Sequence, residues 1–155
     1  MKKLLFISSE GGHLQELRQL QSLQKDYDVV YVTERTQTTS SILKEEKHVH
    51  FLCYGTQDHL WSYLFIFPWN IVCSLFLFWV EKPDAIITTG THTAVPMCYI
   101  AHLWKKKVIY IETLANRYSP TKAGKMVYPI ADLFIVQWSE MLQIYPKAVY
   151  WGWLF

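Results

Sequence analysis

Three short segments carry side chains able to bind or activate an oxygen. The first, Ser8-Ser9-Glu10-Gly11-Gly12-His13, sets two glycines just ahead of a histidine. Glycines let a backbone approach a ligand, and the unpaired N–H groups of a following helix favour an anion. The spacing is neither a dinucleotide fingerprint nor a P-loop, and Glu10 opposes phosphate by like charge. A tight turn with His13 simply opening a helix is the plainer alternative. The second segment, Thr89-Gly90-Thr91-His92-Thr93, offers hydroxyls and an imidazole to sugar or phosphate oxygens, or else a capped helix start. The third is Glu112-Thr113, with Asn116 and Arg117 close behind. A carboxylate there, near His13 and His92, could deprotonate a hydroxyl; a surface glutamate without a role is the alternative. His48 and His50 share a strand face without a third ligand, so no metal and no cofactor are expected.

These segments need a frame that brings them together. Short apolar runs alternate with stretches of helical period, the pattern of βαβ units and a parallel sheet. Strands are expected at Leu4–Ser8, Val29–Thr33, Val49–Tyr54, Ala85–Thr88, Val108–Ile111, Leu133–Val136 and Ala148–Trp151. Leu14, Leu17, Leu20 and Leu23 mark a helix face ending near Lys25. Further helices are expected around Ser40–Glu46, from Ala94 to Trp104 with Pro96 in the first turn, and over Ser139–Tyr145. Ser119-Pro120 reads as cap and first-turn proline of another, stopping before Pro129. The expectation is one doubly wound α/β domain over 1–155, with a mostly parallel sheet of six or seven strands. Ligands in such sheets collect beyond the carboxyl ends of the strands, where all three segments fall.

Composition narrows the setting. The chain has 155 residues, 51% of them hydrophobic, 16% aromatic and only 18% charged. Soluble chains carry about 25% charged residues, so more apolar surface is expected than a solitary soluble domain shows. A net charge of +2 and a single basic cluster, Lys105-Lys106-Lys107, exclude tracking of a nucleic-acid backbone. Cys53, Cys73 and Cys98 are odd in number and widely spaced, which points to a reducing compartment. Leu4-Leu5-Phe6-Ile7 is too short for a signal peptide and reads as a first strand.

No Asp, Glu, Lys or Arg occurs from His59 to Val80. A single membrane crossing there would put halves of one sheet on opposite sides of the bilayer. Pro68 is expected to divide the stretch into Leu60–Phe67 and Trp69–Val80, neither of which reaches the ~20 residues a span requires. The second half is apolar on every side, so its outer face must meet lipid or protein. The expectation is that segment 59–80 lies on one leaflet, with Trp61, Phe65, Trp69, Phe76 and Trp79 in contact with the membrane; burial under a partner subunit is the alternative.

Taken together, the motifs resemble a known family. They are Ser8-Ser9-x-Gly11-Gly12-His13-Leu14, Asp84 to Gly90 with Val95-Pro96 behind, Ile109-Tyr110-Ile111-Glu112, and Ala131 to Trp138 followed by Tyr145-Pro146-Lys147-Ala148. The chain resembles PssD-like and CpsF-like subunits of bacterial exopolysaccharide and capsule synthesis, relatives of the membrane-anchoring subunit of the eukaryotic UDP-N-acetylglucosamine transferase. The resemblance implies the Rossmann-like N-terminal half of a GT-B glycosyltransferase on its own chain. It implies a partner subunit that binds most of the UDP-sugar, and a polyprenyl-diphosphate-linked sugar as acceptor. Carried onto this sequence, it sets Gly11, Gly12 and His13 in a loop facing the cleft, Gly90 and its neighbours in a second loop, and Glu112 as the acidic residue.

The expected site is therefore His13 and Glu112 for chemistry, with Glu112 the base. Ser9, Gly11, Gly12, Gly90, Thr91, His92, Thr93, Asn116 and Arg117 would hold acceptor or phosphate. Glu10 inside the first loop departs from the pattern. No N-terminal anchor like the eukaryotic relative's is expected, and attachment to the cytoplasmic face of the plasma membrane is expected to fall to Leu60–Val80. Since 155 residues supply one Rossmann-like half, a partner is expected on length as well. A non-catalytic membrane scaffold and a stand-alone nucleotide-binding enzyme are the rival readings.

Overall fold

The computed structural model of the chain describes residues 1–53 and 60–154, of which 60–64 by their backbone alone. The far end of the expected strand at Tyr54 and the side chain of Trp61 lie outside the described residues.

Among the described residues seven strands alternate with helices: β1 (Lys3–Ile7), α1 (Gly12–Arg18, continued by a 3-10 helix Gln19–Lys25), β2 (Asp28–Glu34), α2 (Gln37–Ile42), β3 (Val49–Leu52), α3 (Leu60–Glu81), β4 (Ala85–Thr88), α4 (Val95–Leu103), β5 (Lys107–Ile111), α5 (Lys122–Val127), β6 (Leu133–Val136), a 3-10 helix Ser139–Gln143 and β7 (Val149–Tyr150). They form one sheet in the order β3-β2-β1-β4-β5-β6-β7, with every pair parallel. Alternate residues of β1 feed opposite cores, as the two-residue period of a strand requires. Leu5 and Ile7 join Ile86, Val108, Tyr110 and Val136 beneath α3, α4 and α5. Leu4 and Phe6 join Tyr31, Ile87 and Ile135 beneath Leu14 and Leu17 of α1. Both faces are covered, so the strands need apolar residues throughout, which is why they read as short unbroken runs.

Three local expectations change. Pro68 does not end a helix: α3 runs unbroken from Leu60 to Glu81 with the proline inside it and exposed. A proline in a helix interior costs about 3 kcal/mol through a lost hydrogen bond and a clash. Packing just beyond it offsets that cost. Asn70 is buried and clamps the end of β3, accepting from the Cys53 N–H at 3.0 Å and donating to the Cys53 carbonyl at 2.9 Å. Ser74, Leu77 and Phe78 follow on the same buried side. The helix expected at Ser40–Glu46 instead begins at Gln37, because Thr36 and Thr39 form a reciprocal capping box. Thr121 rather than Ser119 caps α5, accepting from the Gly124 N–H.

The outer face of α3 is apolar and exposed: Phe65 is 78% exposed, Phe76 66%, Trp69 57% and Trp79 53%. Ile71, Val72, Leu75 and Val80 share it. Trp104, after the end of α4, meets Trp79 edge-on at 5.6 Å and extends the patch, with Leu103 beside it. Among the described residues no helix is long and apolar enough to cross a membrane. The strands either side of α3 belong to one sheet, in keeping with the topological objection to a crossing.

Candidate functional site

The sheet order reverses between β1 and β4: from β1 the chain winds outward to β2 and β3, then returns to β4 and winds the other way. Loops leaving the carboxyl ends of these two strands diverge and leave a crevice. The Gly-Gly-His and Thr-Gly-Thr-His-Thr segments occupy it.

Their backbones interlock. Gly11 holds φ +80°, a left-handed conformation, which turns the chain from β1 into α1. His13 then sits in the first turn of α1, its Nδ1 2.9 Å from the Thr89 carbonyl, while the Thr89 hydroxyl donates to the His13 carbonyl at 2.7 Å. The Ser9 N–H donates to the Thr91 hydroxyl at 3.2 Å. Gly90 holds φ +113°, and a Cβ there would stand 2.6 Å from the Tyr110 hydroxyl, so only glycine fits. Since a carbonyl only accepts, Nδ1 of the neutral imidazole carries the proton and Nε2 presents its lone pair.

A cavity of about 500 Å³ opens here. His13, Thr91, His92, Thr121 and Lys122 give it a polar side; Phe67, Val95 and Met126 give it an apolar one. Phe67 lies on α3, so the apolar side adjoins that helix. His13, Thr91 and His92 are thus brought together as expected from their loops. Thr93 is turned away, its hydroxyl bonded to the buried carboxylate of Glu34, whose oxygen also lies 3.7 Å from His92 Nε2. Burial raises the Glu34 pKa, the Thr93 bond opposes this, and the charge of Glu10 adds to it.

Glu112 stands behind the cavity wall. It is 1% exposed, and one of its oxygens accepts from the Thr121 hydroxyl and from the Tyr145 hydroxyl, each at 3.1 Å. The Thr113 N–H reaches the other at 3.3 Å. Gly124 packs directly on the carboxylate, leaving no room for a Cβ. Burial raises the Glu112 pKa and these hydrogen bonds only partly oppose it. Arg117 is drawn elsewhere: it pairs with Glu140 at 2.6 Å and its guanidinium lies over the rings of Trp138 and Tyr118. Asn116 closes a turn on the Thr113 carbonyl, and neither it nor Arg117 lines the cavity.

Sequence reasoning missed Glu34, Thr121 and Lys122. Glu34 ends β2 as directly as Ile111 ends β5, so the strand-end rule that picked out Glu112 applies to it too. Reading Thr121 as the helix cap would have placed Lys122 at the cavity.

A single parallel sheet with a cavity at its switch point is a Rossmann-like unit, and solved structures place that fold as one half of a GT-B architecture. MurG from Acinetobacter baumannii superposes with a TM-score of 0.76 at 15% identity, over 90% of this chain and 43% of that one. UDP-GlcNAc 2-epimerase from Methanocaldococcus jannaschii gives 0.69 at 16%, over 94% and 42%. The chain thus spans less than half of either. It belongs to the family described as oligosaccharide biosynthesis protein Alg14 like, which matches residues 4–154. The UDP-N-acetylglucosamine transferase subunit ALG14 of Rattus norvegicus is 27% identical over 96% of this chain and 81% of its own length. Its Candida albicans counterpart is 36% identical over 59% and 46%.

Proposed function

We propose that the chain is the acceptor-side subunit of a two-chain UDP-N-acetylglucosamine-type glycosyltransferase, presenting a polyprenyl-diphosphate-linked sugar to a donor-binding partner. The observation that carries this is the cavity at the switch point, polar on the side of His13 and Lys122 and apolar on the side of Phe67 and Met126. A lipid-linked sugar diphosphate has the same two-sided character. The relatives' names, as transferase subunits, support the reaction class. The motif resemblance supports exopolysaccharide or capsule as the product.

His13 is the better-placed base. With Nδ1 held by the Thr89 carbonyl, Nε2 takes the proton of the acceptor hydroxyl. That oxygen bonds to the anomeric carbon of the sugar held by the partner, the bond from that carbon to the diphosphate breaks, and UDP leaves with the electron pair. Glu112 acts through Thr121, fixing the cavity wall and the start of α5. Lys122 supplies a cation for the acceptor diphosphate. The exposed face of α3 supports docking on the cytoplasmic face of the membrane, with the cavity beside the lipid surface.

The burial of Glu112 favours one rival, a scaffold without acceptor chemistry, because it removes a second reactive group from the surface. His13→Ala separates the two readings. The base role predicts a loss of about 10²–10⁴-fold in turnover by the assembled pair, with co-purification of the partner intact. Full turnover would favour the scaffold.

A further inference from the structure

Arg35, directly after β2, stands between two hollows that share no residue with the cavity around His13. One is a shallow, open depression lined by Arg35, Lys44, Gln37, Ser41 and other polar residues, with no carboxylate among them. The other, of about 490 Å³, is a groove between β3 and α3 walled by Phe51, Trp69, Val72 and Phe76. His50 also borders the groove, but its Nε2 is committed to Glu81 at 2.6 Å. Arg35 lies over the Phe51 ring at 5.4 Å, and among the described residues no carboxylate pairs with it or with Lys44. Trp69, Val72 and Phe76 belong to the exposed face of α3, so the groove opens on that face.

A cationic, hydroxyl-bearing basin that shares one guanidinium with an apolar groove matches an amphiphile with an anionic head and a hydrocarbon chain. We propose that Arg35 and Lys44 bind the phosphate of an anionic membrane lipid while its chain lies along Trp69, Val72 and Phe76. The site is separate from the acceptor cavity, and it sets how the chain sits on the bilayer. It rests on the reading that the α3 face meets a membrane.

The test is flotation of the purified full chain with vesicles of phosphatidylcholine, alone or with a fifth of phosphatidylglycerol. Wild type should prefer the anionic vesicles, and Arg35→Gln with Lys44→Gln should lower binding to them about 30-fold, near fivefold per cation, leaving binding to the neutral vesicles unchanged. Lys82→Gln with Lys105→Gln removes the same charge at the far end of the face and should keep most of the preference. Equal losses in the two double variants, or no preference in wild type, would overturn the site alone. Absence of binding to either vesicle would overturn the membrane reading with it. Tight binding of inorganic phosphate without lipid, lost in the Arg35 and Lys44 variant, would reassign the basin to a free anion.

Discussion

Replacing three loop glycines by alanine, one at a time, separates backbone strain from steric contact around the crevice. Gly12 has an ordinary backbone and nothing within 4 Å of an added Cβ, so Gly12→Ala should shift stability by no more than about 1 kcal/mol. Gly11 also faces open space but holds φ +80° with ψ −141°, a region essentially reserved to glycine, which costs an L-residue roughly 1–3 kcal/mol. Gly90 combines φ +113° with a Cβ position 2.6 Å from the Tyr110 hydroxyl. That ring cannot retreat easily. It stacks on Phe134 at 4.7 Å and its hydroxyl bonds Thr121 at 3.0 Å. Strain of about 1–3 kcal/mol and overpacking of about 1–3 kcal/mol add to about 4 kcal/mol at the centre of the range. For a chain of this size that lowers Tm by about 10 °C. Thermal unfolding of the three variants should therefore rank Gly12, Gly11, Gly90 in increasing damage. Turnover should fall furthest for Gly90→Ala, because Tyr110 and Thr121 brace the cavity wall. If Gly90→Ala melted together with Gly12→Ala, the close approach of Gly90 to the Tyr110 hydroxyl would be wrong.

The two buried acids predict a pH dependence. Glu34 and Glu112 have raised pKa values in the folded chain, whereas unfolded glutamates ionise near about 4.3. Their contribution to stability is full below that unfolded value and is lost as pH rises through the folded one, since the folded state holds its protons longer. Glu34→Gln and Glu112→Gln do not titrate, so the Tm of each variant relative to wild type should climb as pH rises above the unfolded value; a constant difference would contradict the burial of the acids. Phe76→Asp with Trp79→Asp places charge on the exposed face of α3 and should move the chain from the membrane to the soluble fraction, since burying charge in lipid costs several kcal/mol. Retention on the membrane after that change would point to recruitment through the partner.

Much of the frame is legible in the sequence because parallel strands buried on both faces must be short apolar runs. Strand positions such as Ala85–Thr88 and Leu133–Val136 follow from that alone. What eludes local reading is decided by contacts distant in the chain. Ser119, Pro120 and Thr121 all suit a helix start, and the choice of Thr121 is supported by its bonds to Glu112 and Tyr110. Pro68 reads as a break until Asn70 is seen clamping Cys53. Glu112 reads as an exposed strand-end carboxylate because the residues that cover it, Gly124 and Tyr145, come 12 and 33 positions later. The glycines beside His13 draw attention to it in the sequence, but its orientation is set by the Thr89 carbonyl 76 residues away.

The most direct test of the account is reconstitution. Transfer from UDP-N-acetylglucosamine to a polyprenyl-diphosphate-linked sugar would be measured with this chain alone, with its donor-binding partner alone, and with both. The proposed acceptor-side role predicts product only when both chains are present. Transfer by this chain alone at the rate of the pair would contradict that.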